Sequence, residues 1–241
     1  RSELRAAILA LFREDVPRYI SRQVARDIAR RGPSAKTILN DLRLSVWDRL
    51  VPSAERALNS VAREVARLAM QGVGVGDEDA RAARAREDAR AWATDRASEM
   101  VGLHRREDNE IVLDRQPDMS IAATTAVMLH KTVNEAIEKQ WPETLVRARL
   151  ADEYALSEDR ADLISKTEVG IAAGIIASMA YKASGIVIGK RWVTKNDNRV
   201  EIHCRTNEEA GIIPLGQRFP SGHLTPMAHP RCRCKIAPVI E

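Results

Sequence analysis

Gly189-Lys190-Arg191-Trp192-Val193-Thr194, and near the chain's end His229-Pro230-Arg231-Cys232-Arg233-Cys234-Lys235-Ile236, are the two stretches on which the fold turns. Ile186-Val187-Ile188 and Arg191–Thr194 have the β-branched and aromatic composition of strands. Cys234 to Ile240 reads as a final strand. We expect antiparallel strands near 190–194 and 234–240 that close a small module over residues 186–241. Between them lie a turn cluster at Asn196-Asp197-Asn198, a short helix over 203–209 ended by Gly211, an extended Ile212-Ile213-Pro214-Leu215, and a loop marked by Pro220-Ser221-Gly222 and Thr225-Pro226.

Everything before this module reads as helix. Leu4, Ile8 and Leu11, then Ile20, Val24 and Ile28, are spaced for one face of a helix. Pro17 predicts the first turn of a second helix, and Gly32-Pro33 a stop, with Ser34 as the next N-cap. Ile38, Leu42, Val46, Leu50, Leu58, Val61, Val65 and Leu68 continue the pattern across a break at Val51-Pro52-Ser53. Gly72-Val73-Gly74-Val75-Gly76 lacks the lysine and the preceding strand of a phosphate loop, so we expect a flexible connector. Residues 78–103 form an alanine- and charge-rich helix. Residues 104–118 lose the period, hold Pro117 and predict a linker. Helices resume over 119–140 and from Pro142, and a last one runs from a Ser157 cap to about Tyr181, with Gly185 as its C′ residue. The fold class is α+β and mainly helical. Its divisions are an N-terminal helical region (1–110), a second helical part (119–185) and the small module (186–241).

Composition bounds the function. The chain of 241 residues has 44% hydrophobic content, enough for a real core, and only 4% aromatics. No apolar run of membrane-spanning length and no signal peptide are apparent, so no membrane partner is expected. Residues 186–241 carry nine Lys/Arg and five Asp/Glu, which accounts for the whole net charge of +4. A modest basic patch of this kind meets nucleic-acid phosphates or an acidic protein surface, or is simply a solvated face.

All three cysteines (204, 232, 234) and three of the five histidines (203, 223, 229) fall in the module. The odd count leaves at least one thiol outside any disulfide and points to a reducing compartment. So small a module needs a staple or a neighbouring surface. Reduced thiols docked on the helices rank first. Zinc held by Cys204, Cys232, Cys234 and His229 ranks second, and a disulfide from Cys204 third. Zinc requires sulfurs about 3.8 Å apart, from Zn–S bonds near 2.3 Å. In a regular strand the Cα atoms of Cys232 and Cys234 are instead nearly 7 Å apart, by an estimated ~3.4 Å rise per residue, so the backbone must bend. Glu168 lies on the apolar stripe of the last long helix with Ile164, Ile171 and Ile175. A buried carboxylate needs a partner, and Arg199 and Arg233 are the candidates.

A catalytic alternative exists. His203, His229, Asp197 and Glu201 have the groups of a metal-dependent nuclease or acid–base site, and arginines flank both Cys232 and Cys234. No protease helix, nucleophile elbow or kinase set accompanies them, so no catalytic residue is assigned and the chain is not expected to be an enzyme. A toxin-like or metal-dependent nuclease or transferase remains the competing class.

Taken in order, Lys166-Thr167-Glu168, Gly185, Lys190–Thr194, Asp197, Arg199 and His229-Pro230-Arg231-Cys232-Arg233-Cys234 resemble the phage head-morphogenesis domain named after protein F of phage Mu. Members show an Arg-Thr-Glu-like triplet, a Lys-x-Trp strand, an Asp-x-Arg turn and a terminal Cys-Arg-Cys. Lys166 stands where Arg is usual. Glu201 takes the first place of a Cys-x-x-Cys, of which only Cys204 remains. The resemblance covers residues 120–240. It implies a minor head protein, made in the host cytoplasm and carried in the virion near the portal vertex. Its implied partners are the portal protein, packaged double-stranded DNA and the inner capsid surface, with several copies around the portal. It also implies a structural signature: Glu168, Trp192, Asp197, Arg199, His229, Cys232, Arg233 and Cys234.

Overall fold

The computed structural model describes residues 1–30, 34–105, 111–113 and 120–240. Its elements are α1 (Ser2–Ala10), a π-helical turn (Leu11–Asp15), α2 (Val16–Arg30), α3 (Ala35–Ser45), a 3-10 turn (Trp47–Leu50), α4 (Val51–Gly72) and α5 (Ala80–Glu99). Then come β1 (Leu103–Arg105), β2 (Ile111–Leu113), α6 (Ile121–Glu138), α7 (Glu143–Ala151), a 3-10 turn (Tyr154–Leu156) and α8 (Glu158–Ser184). The chain ends with β3 (Val187–Val193), α9 (Ile202–Glu209), β4 (Ile212–Ile213) and β5 (Lys235–Ile240). The protein is mainly helical with a small antiparallel sheet near the C-terminus, as its sequence pattern requires.

Two compact units form, each from two separate stretches: Arg1–Ala57 with Asp95–Ser165, and Leu58–Thr94 with Lys166–Glu241. In the first, α2 packs on α7 and α3 on α6. Leu4, Ile8, Phe12, Ile20 and Trp47 are buried completely, and Phe12 meets Trp47 edge to face at 6.1 Å. Pro17 marks the start of a second helix, as expected. It sits in the first turn of α2, where the missing N–H costs least, and the chain adjusts upstream through the π turn. Arg160 is buried here among neutral acceptors. Its guanidinium donates to Thr125 Oγ1 at 2.9 Å and Thr124 Oγ1 at 2.8 Å, and lies 5.2 Å from the Phe12 ring. Burial pulls its pKa down to about 10.

The segment expected as a linker contains β1 and β2, an antiparallel pair in which Leu103 faces Leu113. The runs were too short for a period to register. Pro117 and the Gly32-Pro33 stop lie outside the described residues.

In the second unit the glycine-rich connector is anchored rather than flexible. Val75 N–H donates to the Met70 carbonyl at 2.9 Å and Gly74 N–H to that of Gln71 at 3.0 Å. With Gly74 at φ 79°, this is a Schellman C-cap, and its apolar partners Met70 and Val75 are both buried. These residues share one buried cluster with Tyr181, Val187, Trp192, Phe219 and Ile236. The thin core of the C-terminal module is therefore completed by residues far upstream.

The sheet order is β4-β3-β5, all antiparallel, with Trp192 opposite Ile236 and Lys190 opposite Ile213. The two expected strand segments before 195 are a single strand, β3, with a bulge at Val187/Gly189. Ser157 caps α8 by accepting the Arg160 N–H at 3.1 Å, and Gly185 follows that helix at φ 71°. By length and composition α8 is long and apolar enough to cross a membrane, the one such helix among the described residues. This corrects the expectation that no run reaches that length. Its hydropathy comes largely from isoleucine and alanine, and it carries the buried Glu168 and the exposed Lys182.

Candidate metal centre

The centre lies where α9, the end of β3 and the segment leading into β5 meet. α9 places Cys204 inward with 1% exposure, while His203 beside it is exposed. Before β5 the chain makes a tight turn in which the Cys232 N–H donates to the His229 carbonyl at 3.1 Å. Pro230 takes the position that its fixed φ suits. Arg231 follows at φ 66°, where glycine is usual. The regular ladder starts only at Lys235, one residue later than the sequence predicts. Cys232 and Cys234 are thus released from strand geometry, and the bend that a shared site needs is present.

The three sulfurs converge. All lie within 4.8 Å of one another, and Cys204 Sγ is 3.8 Å from Cys232 Sγ. That is far beyond a disulfide bond of about 2.05 Å, and the cysteines are free. It equals the edge of about 3.8 Å expected for two sulfurs on a tetrahedral zinc. His229 Nε2 is 3.4 Å from Cys204 Sγ. Its other nitrogen, Nδ1, is 2.9 Å from the Pro230 carbonyl oxygen and 3.2 Å from Glu201 Oε1. A carbonyl can only accept, so Nδ1 carries the hydrogen and Nε2 presents its lone pair toward the sulfurs. Orientation of a ligating imidazole by a carbonyl and a carboxylate is the usual outer shell of a zinc histidine.

Burial, reinforced by the Cys232 and Cys234 sulfurs, pushes the Cys204 thiol well up, and burial raises Cys234 too. A positive ion is what would hold such thiols as thiolates. The indole N–H of Trp192 is buried without an acceptor at hydrogen-bonding distance, yet lies near enough to Cys234 to favour its thiolate. The three sulfurs form the cluster, and His229 Nε2 adjoins it at Cys204; three cysteines and one histidine are the donor types of a structural zinc site.

The remaining signature residues brace this centre. Arg233, between the two cysteines, donates through both Nη atoms to Asp197 at 2.7 and 2.6 Å. That pairing holds the Asp197 carboxyl down at about 2. Asp197 Oδ1 also accepts the Arg199 N–H at 3.0 Å, which closes the Asp-x-Arg turn. Trp192, 1% exposed, packs edge to face on Phe219 at 5.0 Å.

Glu168 is buried, at 7% exposure, as its stripe position predicts. Of the two candidate partners, Arg233 is engaged bidentately by Asp197, and Arg199 gives its backbone N–H to the same carboxylate. Of the four residues named for acid–base chemistry, only His229 and Glu201 come together. Two features escaped sequence reading. Glu208 accepts from Thr194 N–H at 2.9 Å and from its hydroxyl at 2.6 Å, tying α9 to the end of β3. Lys190 is fully buried. The strand alternation that pairs Lys190 with Trp192 on one face was the available signal.

The chain matches no family model, no curated protein and no solved structure.

Proposed function

We propose that this chain is a minor head component of a tailed phage or prophage-like particle, held inside the capsid at the portal. Several copies would act there in head assembly and in the handling of packaged DNA. The observation that carries this reading is the way the residues of the phage-head resemblance work together. Trp192 fills the module's core, Asp197 holds Arg233, and Cys232, Cys234 and His229 converge on Cys204. Each does structural work, which suits an assembly module.

In this reading zinc replaces the docked thiols expected from the sequence. When bound, it supplies a fixed cross-link between α9 and the segment entering β5. The chain's own residues orient His229 through Glu201 and the Pro230 carbonyl, and shield the sulfurs with Trp192. Arg191, Lys195, Arg199, Arg205 and Arg231 are exposed on the same module. They provide salt-sensitive, sequence-independent contacts for DNA phosphates.

Quantitative mass spectrometry of purified particles, with and without their DNA, tests the assignment. A few copies per portal ring are expected. Absence from both mature particles and assembly intermediates would sink it.

A further inference from the structure

The second unit holds a cavity of about 610 Å³ that shares no residue with the thiol cluster. Its size lies within the range of small-molecule sites. One wall is α8, which presents Ile171, Ile175 and Met179 on successive turns. The other is the irregular chain around Leu215–Arg218 and His223–Met227.

Two glycines of α8 determine how this wall is placed. A Cβ on Gly170 would fall 2.4 Å from Met227 Sδ, and one on Gly174 would fall 3.0 Å from Thr225 Cβ. The bare helix surface lets the Met227 side chain and the Thr225–Pro226 segment lie close at these two points. Met227 over Gly170 and Thr225 over Gly174 also establish that this loop runs opposite to the helix. The apolar end of the cavity is therefore at Ile171 and Met227. Lys182 lies at the other end, roughly 16 Å away along α8 at 1.5 Å rise per residue, and Arg218 and His223 also line the cavity.

Charge at that end is one-sided. No Asp or Glu is among the described residues that line the cavity. Just behind the wall, the buried Lys190 ammonium donates to the Leu224 carbonyl at 2.8 Å and sits 5.4 Å from the Phe219 ring. No carboxylate lies within ion-pairing distance of it among the described residues. Burial lowers the Lys190 pKa, and repulsion from Arg218 lowers it further, so the two cations share one neighbourhood. An anion placed at the mouth would relieve that repulsion.

We propose that this cavity binds an anionic amphiphile: a single alkyl chain along Ile171, Ile175 and Met179, with a carboxylate or phosphate head at Lys182 and Arg218. The apolar wall excludes a purely polar anion, and the cationic end excludes a neutral or cationic lipid.

Isothermal titration of the full chain with dodecanoate and dodecyl phosphate, below the concentrations at which they aggregate, tests this. Saturable binding of at least one, at one per chain, is expected, and the tighter of the two identifies the head group. Dodecanol and dodecyltrimethylammonium should bind at least tenfold more weakly. Lys182 and Arg218 are exposed, so the double variant Lys182→Ala/Arg218→Ala should keep its melting temperature and lose at least tenfold in affinity for the anion. Lys182→Glu alone serves as a second variant if the double one melts early. No saturable anion binding, equal binding of the cationic amphiphile, or unchanged affinity in folded charge variants would each overturn the proposal.

Discussion

The first unit and the C-terminal module of the second are stabilised in different ways. The first buries large side chains on every helix, with Leu4, Ile8, Phe12, Ile20, Leu42 and Trp47 at 0% exposure. Its core is aliphatic and aromatic, and Arg160, the one buried cation among its described residues, is held by neutral oxygens. The module centres on a three-stranded sheet with one short strand, β4, and few large apolar groups. It depends on a thiol and imidazole cluster, a bidentate ion pair and one aromatic contact, and it borrows Met70, Val73 and Val75 to complete its core. Apolar burial scales with the side chains available, so where the chain supplies few, directional interactions must hold the geometry.

The largest test of this contrast is metal removal. We expect about one zinc per purified chain by elemental analysis. Chelation should abolish hydrogen-exchange protection of β3, α9 and β5 while leaving α1–α3, α6 and α7 protected. Structural zinc contributes on the order of 10 kcal/mol in small modules, so the loss should be near-complete there. No zinc, or uniform loss of protection, would break the contrast. Because the Cys204 and Cys234 thiols are raised when metal-free, binding must displace their protons. Affinity should therefore rise with pH, and titrations in buffers of different ionisation enthalpy should show that release.

Next come the two buried tryptophans. Trp47→Ala and Trp192→Ala should each cost about 3–5 kcal/mol in denaturant unfolding. Only the second should weaken zinc. Trp192→Phe keeps most of the ring and removes the N–H, so a selective loss of zinc affinity would sharpen the assignment of that N–H to the thiolate. Arg160→Ala in the first unit should cost about 3 kcal/mol, since it strands buried hydroxyls and carbonyls that now accept from a charged donor. It should leave zinc content unchanged.

Smaller effects belong to the brace and the turn. Asp197 has a pKa lowered from 3.8 to about 2 by Arg233. A depressed carboxyl contributes stability that is present above the unfolded pKa and lost as pH falls through the folded one. The metal-free chain should accordingly lose melting temperature between pH 4 and 2, and Arg233→Gln should flatten that slope. Arg231→Gly should stabilise the turn by about 1 kcal/mol, since it relieves a left-handed conformation.

Much of this architecture was legible in the residues. Apolar spacing marked the helices, β-branched runs marked β3 and β5, and Gly185 and Ser157 marked the ends of α8. Glu168 was recognisable as buried because its place on a stripe depends only on helical period. The cysteine cluster was legible as a list of donors but not as a site. A regular strand keeps Cys232 and Cys234 too far apart, and the left-handed Arg231 that resolves this has no propensity signal. Nor could spacing show that Arg233 belongs to Asp197 rather than Glu168, that Val73 and Val75 anchor their loop, or that Lys190 is buried.

By itself, the sequence determined what is local: helical period, strand composition, caps, and the chemical identity of the thiol, imidazole and carboxylate groups. Tertiary structure alone decided which of those groups meet. Residues 58–94 share a unit with the tail, the three thiols and the His229 imidazole come together from a helix and a turn separated in the chain, and a distant loop lies against two glycines of α8 beside the cavity. Local preferences act over a few residues, whereas convergence of this kind is set by how the whole chain fills its core and satisfies its buried polar groups.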